Sequence, residues 1–106
     1  MRNHKDHRRI DFKRVAEAAA RCAPQILSRW LPDGRREGHE WVVRNPKRAD
    51  TRPGSFKINL NTGAWGDFAT GDRGGDLVSL ASYLFGDNPR EAAENVAKMV
   101  GIDPYE

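Results

Sequence analysis

One run of six residues restricts the fold more than any other. Ser55-Phe56-Lys57-Ile58-Asn59-Leu60 alternates polar and apolar without a break. Phe56, Ile58 and Leu60 fall on one face and Ser55, Lys57 and Asn59 on the other, the pattern of a strand with one buried side. Asn61-Thr62-Gly63 follows as a turn signal with a glycine available for positive φ, and Ala64-Trp65-Gly66-Asp67-Phe68 returns as the antiparallel partner. Upstream, Glu40-Trp41-Val42-Val43-Arg44 is rich in β-formers and predicts another strand.

Helical patterns lie on both sides of this β region. Phe12, Val15, Ala19 and Cys22 recur at spacings of three and four through an alanine-rich run, predicting a helix with Asp11 as its N-cap. Pro24 suits the first turn of a second helix carrying Ile26, Leu27, Trp30 and Leu31, which stops at Pro32-Asp33-Gly34. Asp76 caps a helix from Leu77 to Phe85, with Leu77, Leu80, Ala81 and Leu84 on its apolar stripe and Gly86 as its stop. Asn88-Pro89-Arg90-Glu91 is a capping box opening a last helix, whose buried face is Ala93, Val96, Ala97 and Val100 and which Gly101 closes. The connections Asn45 to Gly54 and Ala69 to Gly75 read as loops, the first too polar to be buried. The expectation is one α+β domain over residues 11–102, a small antiparallel β-sheet flanked by N-terminal and C-terminal helices. Residues 1–10 are expected to be a flexible basic tail and 103–106 a short one.

Composition narrows the function classes. With 106 residues and 38% apolar residues, the chain makes one domain with a thin core, which argues against an enzyme with a deep pocket. No run approaches a membrane span and no apolar signal segment opens the chain, so a cytoplasmic protein without a membrane partner is expected. The single cysteine, Cys22, excludes an internal disulfide framework. The net charge of +3 conceals a split. Residues 29–57 carry eight Lys and Arg against four Asp and Glu, whereas residues 58–106 carry three against eight.

No residue set supports catalysis. The carboxylates of the acidic half fall at caps or on helix faces, where solvation is the default, and Cys22 lies on an apolar stripe as an inert thiol. His4, His7 and His39 stand without any Cys-x-x-Cys, so neither a metal nor another cofactor is expected. The glycine loop Gly71-Asp72-Arg73-Gly74-Gly75 precedes a helix but lacks a P-loop ending, and Asp76 would itself fill the helix end and repel an anion. What remains is a cationic region: Arg44, Lys47, Arg48, Arg52 and Lys57 cluster around the first two predicted strands, with Trp41 and Trp65 on strands of the same sheet. Cations on phosphates with aromatic rings under bases is how single strands are held. On composition alone the same residues read equally well as a solvated rim around two core tryptophans.

The order of these segments adds a family resemblance. Arg52-Pro53-Gly54-Ser55-Phe56-Lys57-Ile58-Asn59, then Thr62-Gly63-Ala64-Trp65-Gly66-Asp67-Phe68, then Gly71-Asp72-Arg73-Gly74-Gly75-Asp76-Leu77-Val78 is similar to the zinc-ribbon module at the N-terminus of bacterial-type DNA primases. The helix Glu91 to Ile102 resembles that module's closing segment, and the likeness runs over about residues 39–102. In that family a hairpin leads to a Cys-x-x-Cys knuckle; here Asp67 and Thr70 stand at the knuckle positions, and residues 43–47, where the preceding ligand pair falls, hold neither Cys nor His. The resemblance therefore implies a metal-free form of the module, of the kind that precedes primase and helicase domains in phage and mobile-element replication proteins.

The resemblance implies a non-catalytic module that binds single-stranded or template DNA. Arg44, Lys47, Arg48, Arg52 and Lys57 would contact phosphates, Arg73 would reach the same groove from the glycine loop, and Trp41 or Trp65 would stack on bases. DNA and primase, helicase or other replication proteins are the implied partners. The competing expectation is a protein-interaction module that docks a replication or host protein through its acidic terminal helices. Because a structural zinc supplies folding free energy, its loss requires compensating packing. Phe12, Val15, Ile26, Leu27, Trp30, Trp41, Trp65 and Phe68 are the residues expected to supply it.

Overall fold

The computed structural model describes residues 8–47 and 54–106. Two helices, α1 (Phe12–Arg21) and α2 (Ala23–Trp30), lead into a sheet of β1 (Arg35–Glu37), β2 (Glu40–Val43), β3 (Phe56–Asn59), β4 (Trp65–Asp67) and β5 (Arg73–Gly74). Two further helices, α3 (Leu77–Phe85) and α4 (Pro89–Val100), close the chain. All neighbouring strands are antiparallel in the order β1-β2-β3-β4-β5, a meander in an α+β domain.

The helices begin and end where their capping chemistry dictates. Asp11 accepts the Arg14 amide at the start of α1, while Asp76 with Ser79 and Asn88 with Glu91 form reciprocal capping boxes on α3 and α4. Gly86 and Gly101 end α3 and α4 in the left-handed region at φ +75°, a conformation that a side chain would strain. Gly63 at φ +81° makes the β3–β4 turn, with the Leu77 side chain 3.1 Å from where a Cβ would stand.

Strand alternation sorts the sheet into two faces. In register, Trp41, Ile58, Trp65 and Gly74 form one cross-strand row and Val43, Phe56 and Asp67 the next; this face is covered. Ile58 and Phe56 are wholly buried with Leu77 and Leu80 of α3, Val15 of α1, Leu27 of α2 and Val96 of α4. The helices also pack on one another, α1 against α3 and α4, and α3 against α4. On the opposite, open face, Arg35, Val42, Lys57, Gly66 and Arg73 share one row.

Four expectations are corrected. The outer strands β1 and β5 were not expected: Arg35–Glu37 is exposed throughout and β5 is two residues long, so neither carries an apolar alternation. Phe12 (43% exposed) and Phe68 (79%) stand outside the core, which is filled instead by small and branched residues from four helices. Asn45, in a loop expected to be too polar for burial, is 1% exposed and fully hydrogen-bonded. Residues 103–106 do not trail away. Tyr105 bridges Ile10, Asp11 N–H donates to the Pro104 carbonyl at 2.8 Å, and Glu106 N–H donates to Arg9 at 2.8 Å. Ile10 is thereby buried, so the folded unit extends beyond 11–102 at both ends, while residues 1–7 of the expected N-terminal tail lie outside the described residues.

Candidate nucleic-acid interface

The open face gathers cations that are far apart in sequence. Antiparallel pairing puts Arg35 opposite Val42, Val42 opposite Lys57, Lys57 opposite Gly66 and Gly66 opposite Arg73. Neighbouring strands are spaced about 4.8 Å apart, so three basic side chains stand in line at intervals of about 10 Å. Gly66 leaves a bare stretch of backbone between Lys57 and Arg73.

Phe68, just past β4, is the exposed aromatic of this face. Its N–H donates to the Ser55 carbonyl at 2.9 Å, which continues the β3–β4 ladder by one residue and fixes the ring's side of the sheet. Lys57 Nζ lies 5.8 Å from the ring centroid, within cation–π range. Phe68, Lys57, Gly66 and Arg73 line an open groove of about 420 Å³, shared with Glu40 and Asp72. Glu40 holds Lys57 at 3.8 Å with both side chains partly solvated, a pairing too weak to withhold the lysine from a phosphate. Among the described residues, Arg73 and Arg44 make no ion pair.

Those residues expected at the interface that the structure describes fall in different places. Lys57 and Arg73 meet on the open groove, and Arg44 is exposed beside Arg35 and Asp33 around a second, smaller cavity of about 350 Å³. Lys47 points elsewhere, its Nζ 5.7 Å from the Tyr83 ring of α3. Arg48 and Arg52 lie outside the described residues. Trp65, expected to stack on bases, belongs to the core. It is 7% exposed, its ring packs on Tyr83 (centroids 4.7 Å) and Phe56 (6.1 Å), and its Nε1 donates to Ser79 Oγ at 2.9 Å. Trp41 is likewise committed, donating from Nε1 to the Leu31 carbonyl at 3.1 Å. Alternation places Trp65 and Ile58 on the same face, so one tryptophan assignment was readable from the strand pattern. Phe68 was missed because it follows the strand and looked like another core aromatic.

Behind the groove, Asp67, at one of the knuckle positions of the resemblance, meets Asn45 from the 43–47 stretch. Asn45 Nδ2 donates to Asp67 Oδ2 at 2.8 Å and to the Tyr83 hydroxyl at 2.8 Å, while its Oδ1 accepts the Lys47 amide at 2.9 Å. The Tyr83 hydroxyl donates in turn to Asp72 Oδ2 at 2.8 Å, and Asp67 Oδ1 accepts the Ala69 amide at 2.8 Å. Burial raises the Tyr83 hydroxyl pKa above its ordinary 10.0; the Asn45 hydrogen bond opposes that shift, while the bond to Asp72 and the nearby carboxylate charges add to it. These residues do not fit zinc. An amide that presents N–H hydrogens to a carboxylate is no ligand, and no group of three His, Cys, Asp or Glu suited to a metal exists among the described residues.

Comparison with known proteins agrees with the fold. The chain superimposes on a crystal structure of Aquifex aeolicus primase comprising its zinc-binding and RNA polymerase domains, with a TM-score of 0.70 over 90% of this chain at 20% identity. The two chains share a fold over this region. This chain spans 22% of the length of that one. No family model matches the sequence, and no curated protein matches it. Among the described residues, no helix is long and apolar enough to cross a membrane.

Proposed function

We propose that this chain is a non-catalytic nucleic-acid-binding module that holds single-stranded or template DNA on the open face of its sheet. It would serve a replication protein of the primase or primase–helicase type, of the kind phages and mobile elements carry. The reading rests chiefly on one observation: exposed Phe68 sits in a groove with Lys57 and Arg73, on a face where Arg35 extends the cationic row. A single strand offers what such a face takes, phosphates for the cations and an unpaired base for the ring. A duplex keeps its bases stacked and leaves Phe68 idle.

Fluorescence anisotropy of a labelled oligodeoxynucleotide tests this. Single strands bind in preference to duplex of the same length, and the double reversal Lys57→Glu, Arg73→Glu abolishes binding while leaving the fold intact. Retention of binding by that variant would overturn the reading and move the function toward capture of a protein partner.

A further inference from the structure

We propose that Asn45, Asp67, Tyr83 and Asp72 form a metal-free clasp that fastens together the end of β2, the β4–β5 turn and α3, the first two of which are the segments where the resemblance to the zinc-ribbon places its ligand pairs. Asn45 ends the run after β2, Asp67 and Asp72 bracket the β4–β5 turn, and Tyr83 stands on α3. The hydrogen bonds among them connect residues 22 and 38 positions apart in sequence.

The clasp is saturated. Both hydrogens of the Asn45 amide have acceptors and its oxygen has a donor, which fixes the amide's orientation, since the flipped amide would turn its oxygen toward a carboxylate. Asp67 is 1% exposed, and an ionised carboxylate at that depth persists only when hydrogen-bonded. It is supplied by Asn45 and by the Ala69 amide, while its backbone carbonyl accepts Gly71 N–H at 2.8 Å and Thr70 N–H at 3.2 Å. The turn is closed again by Asp67 N–H on the Asp72 carbonyl at 2.8 Å and by Asp72 N–H on Thr70 Oγ1 at 3.2 Å. A knuckle built for a metal thus keeps its tight turn, with a carboxylate turned inward as the acceptor that gathers the donors. Phe68 follows Asp67 and Arg73 follows Asp72, so the clasp also sets the position of two groove residues.

Thermal unfolding of the full chain, combined with amide hydrogen exchange, tests this without reference to DNA. The melting temperature is unchanged by 1,10-phenanthroline and by added Zn²⁺, because the clasp joins its segments without an ion and no group among the described residues is suited to hold one. Tyr83→Phe deletes one oxygen and keeps the ring against Phe56 and Trp65. It lowers the melting temperature by roughly 4–8 °C and speeds exchange at the Ala69 and Lys47 amides, which the clasp protects. Asn45→Ala lowers it further, and adding Tyr83→Phe to that variant costs less than Tyr83→Phe does alone, since the two act through one network. If Asn45→Ala fails to fold, the Tyr83→Phe result decides. A melting temperature that falls with chelator or rises with zinc would overturn the proposal, as would unchanged melting and exchange in Tyr83→Phe.

Discussion

The two faces of the β-sheet use aromatic rings in opposite ways. On the covered face, the Trp65, Phe56 and Tyr83 rings lie within 4.7–6.2 Å of one another, and the Trp65 N–H and the Tyr83 hydroxyl each have a hydrogen-bond partner. On the open face Phe68 is 79% exposed, with a lysine beside it and an arginine across the groove. A ring whose polar edge and both sides are engaged serves stability, whereas a large ring left in water among cations suits a ligand with a π-face and negative charge. Strand alternation alone creates this division. Trp65 and Phe68 are three residues apart and therefore on opposite sides, and the side chosen decides which one acts.

The sharpest way to break the contrast is to damage each face in turn. Ile58→Ala on the covered face removes a wholly buried side chain from between four helices and the sheet, and costs about 2–5 kcal/mol in urea unfolding. Any loss of DNA binding in that variant follows from unfolding. Phe68→Ala on the open face leaves stability within about 0.5 kcal/mol, as is usual for exposed positions, yet weakens single-strand binding by about 1–3 kcal/mol. If Phe68→Ala instead unfolds the protein and leaves binding untouched, the assignment of the two faces is wrong.

Much of this arrangement could be read from the residues. Asp11, Asp76, Asn88, Gly86 and Gly101 mark ends of α1, α3 and α4 through local hydrogen bonding and backbone freedom, and Pro24 marks the first turn of α2, so all four helices follow from sequence. Phe56 and Ile58 declare their strand by alternation. Less was legible wherever the deciding interaction is long-range. Arg35–Glu37 becomes a strand only because β2 offers a paired edge, and Asn45 is buried only because Asp67 and Tyr83 arrive from elsewhere in the chain. The candidate groove divides the same way. Lys57 is identified from charge and Arg73 from the family resemblance, but the row that aligns them with Arg35 needs the register, and Phe68 needs the exact end of β4.

A smaller effect sharpens the comparison at high pH. With the Tyr83 pKa raised above 10.0 in the folded state, the folded protein holds that proton more tightly than the unfolded chain does. Stability from this group is therefore fully present below pH 10 and is lost as pH rises through the folded-state value. Urea midpoints measured upward from neutral pH fall on this alkaline limb, and Tyr83→Phe removes its own share of the fall. An identical decline in both proteins would place the alkaline sensitivity elsewhere.

The account depends most directly on the cationic row of the open face, and a salt titration of single-stranded DNA binding measures it. For three phosphate contacts, by Arg35, Lys57 and Arg73, the slope of log affinity against log salt concentration is about −2, and Arg73→Gln reduces its size by about 0.7. A slope near zero, or one that Arg73→Gln leaves unchanged, would contradict the assignment of the open face to nucleic acid.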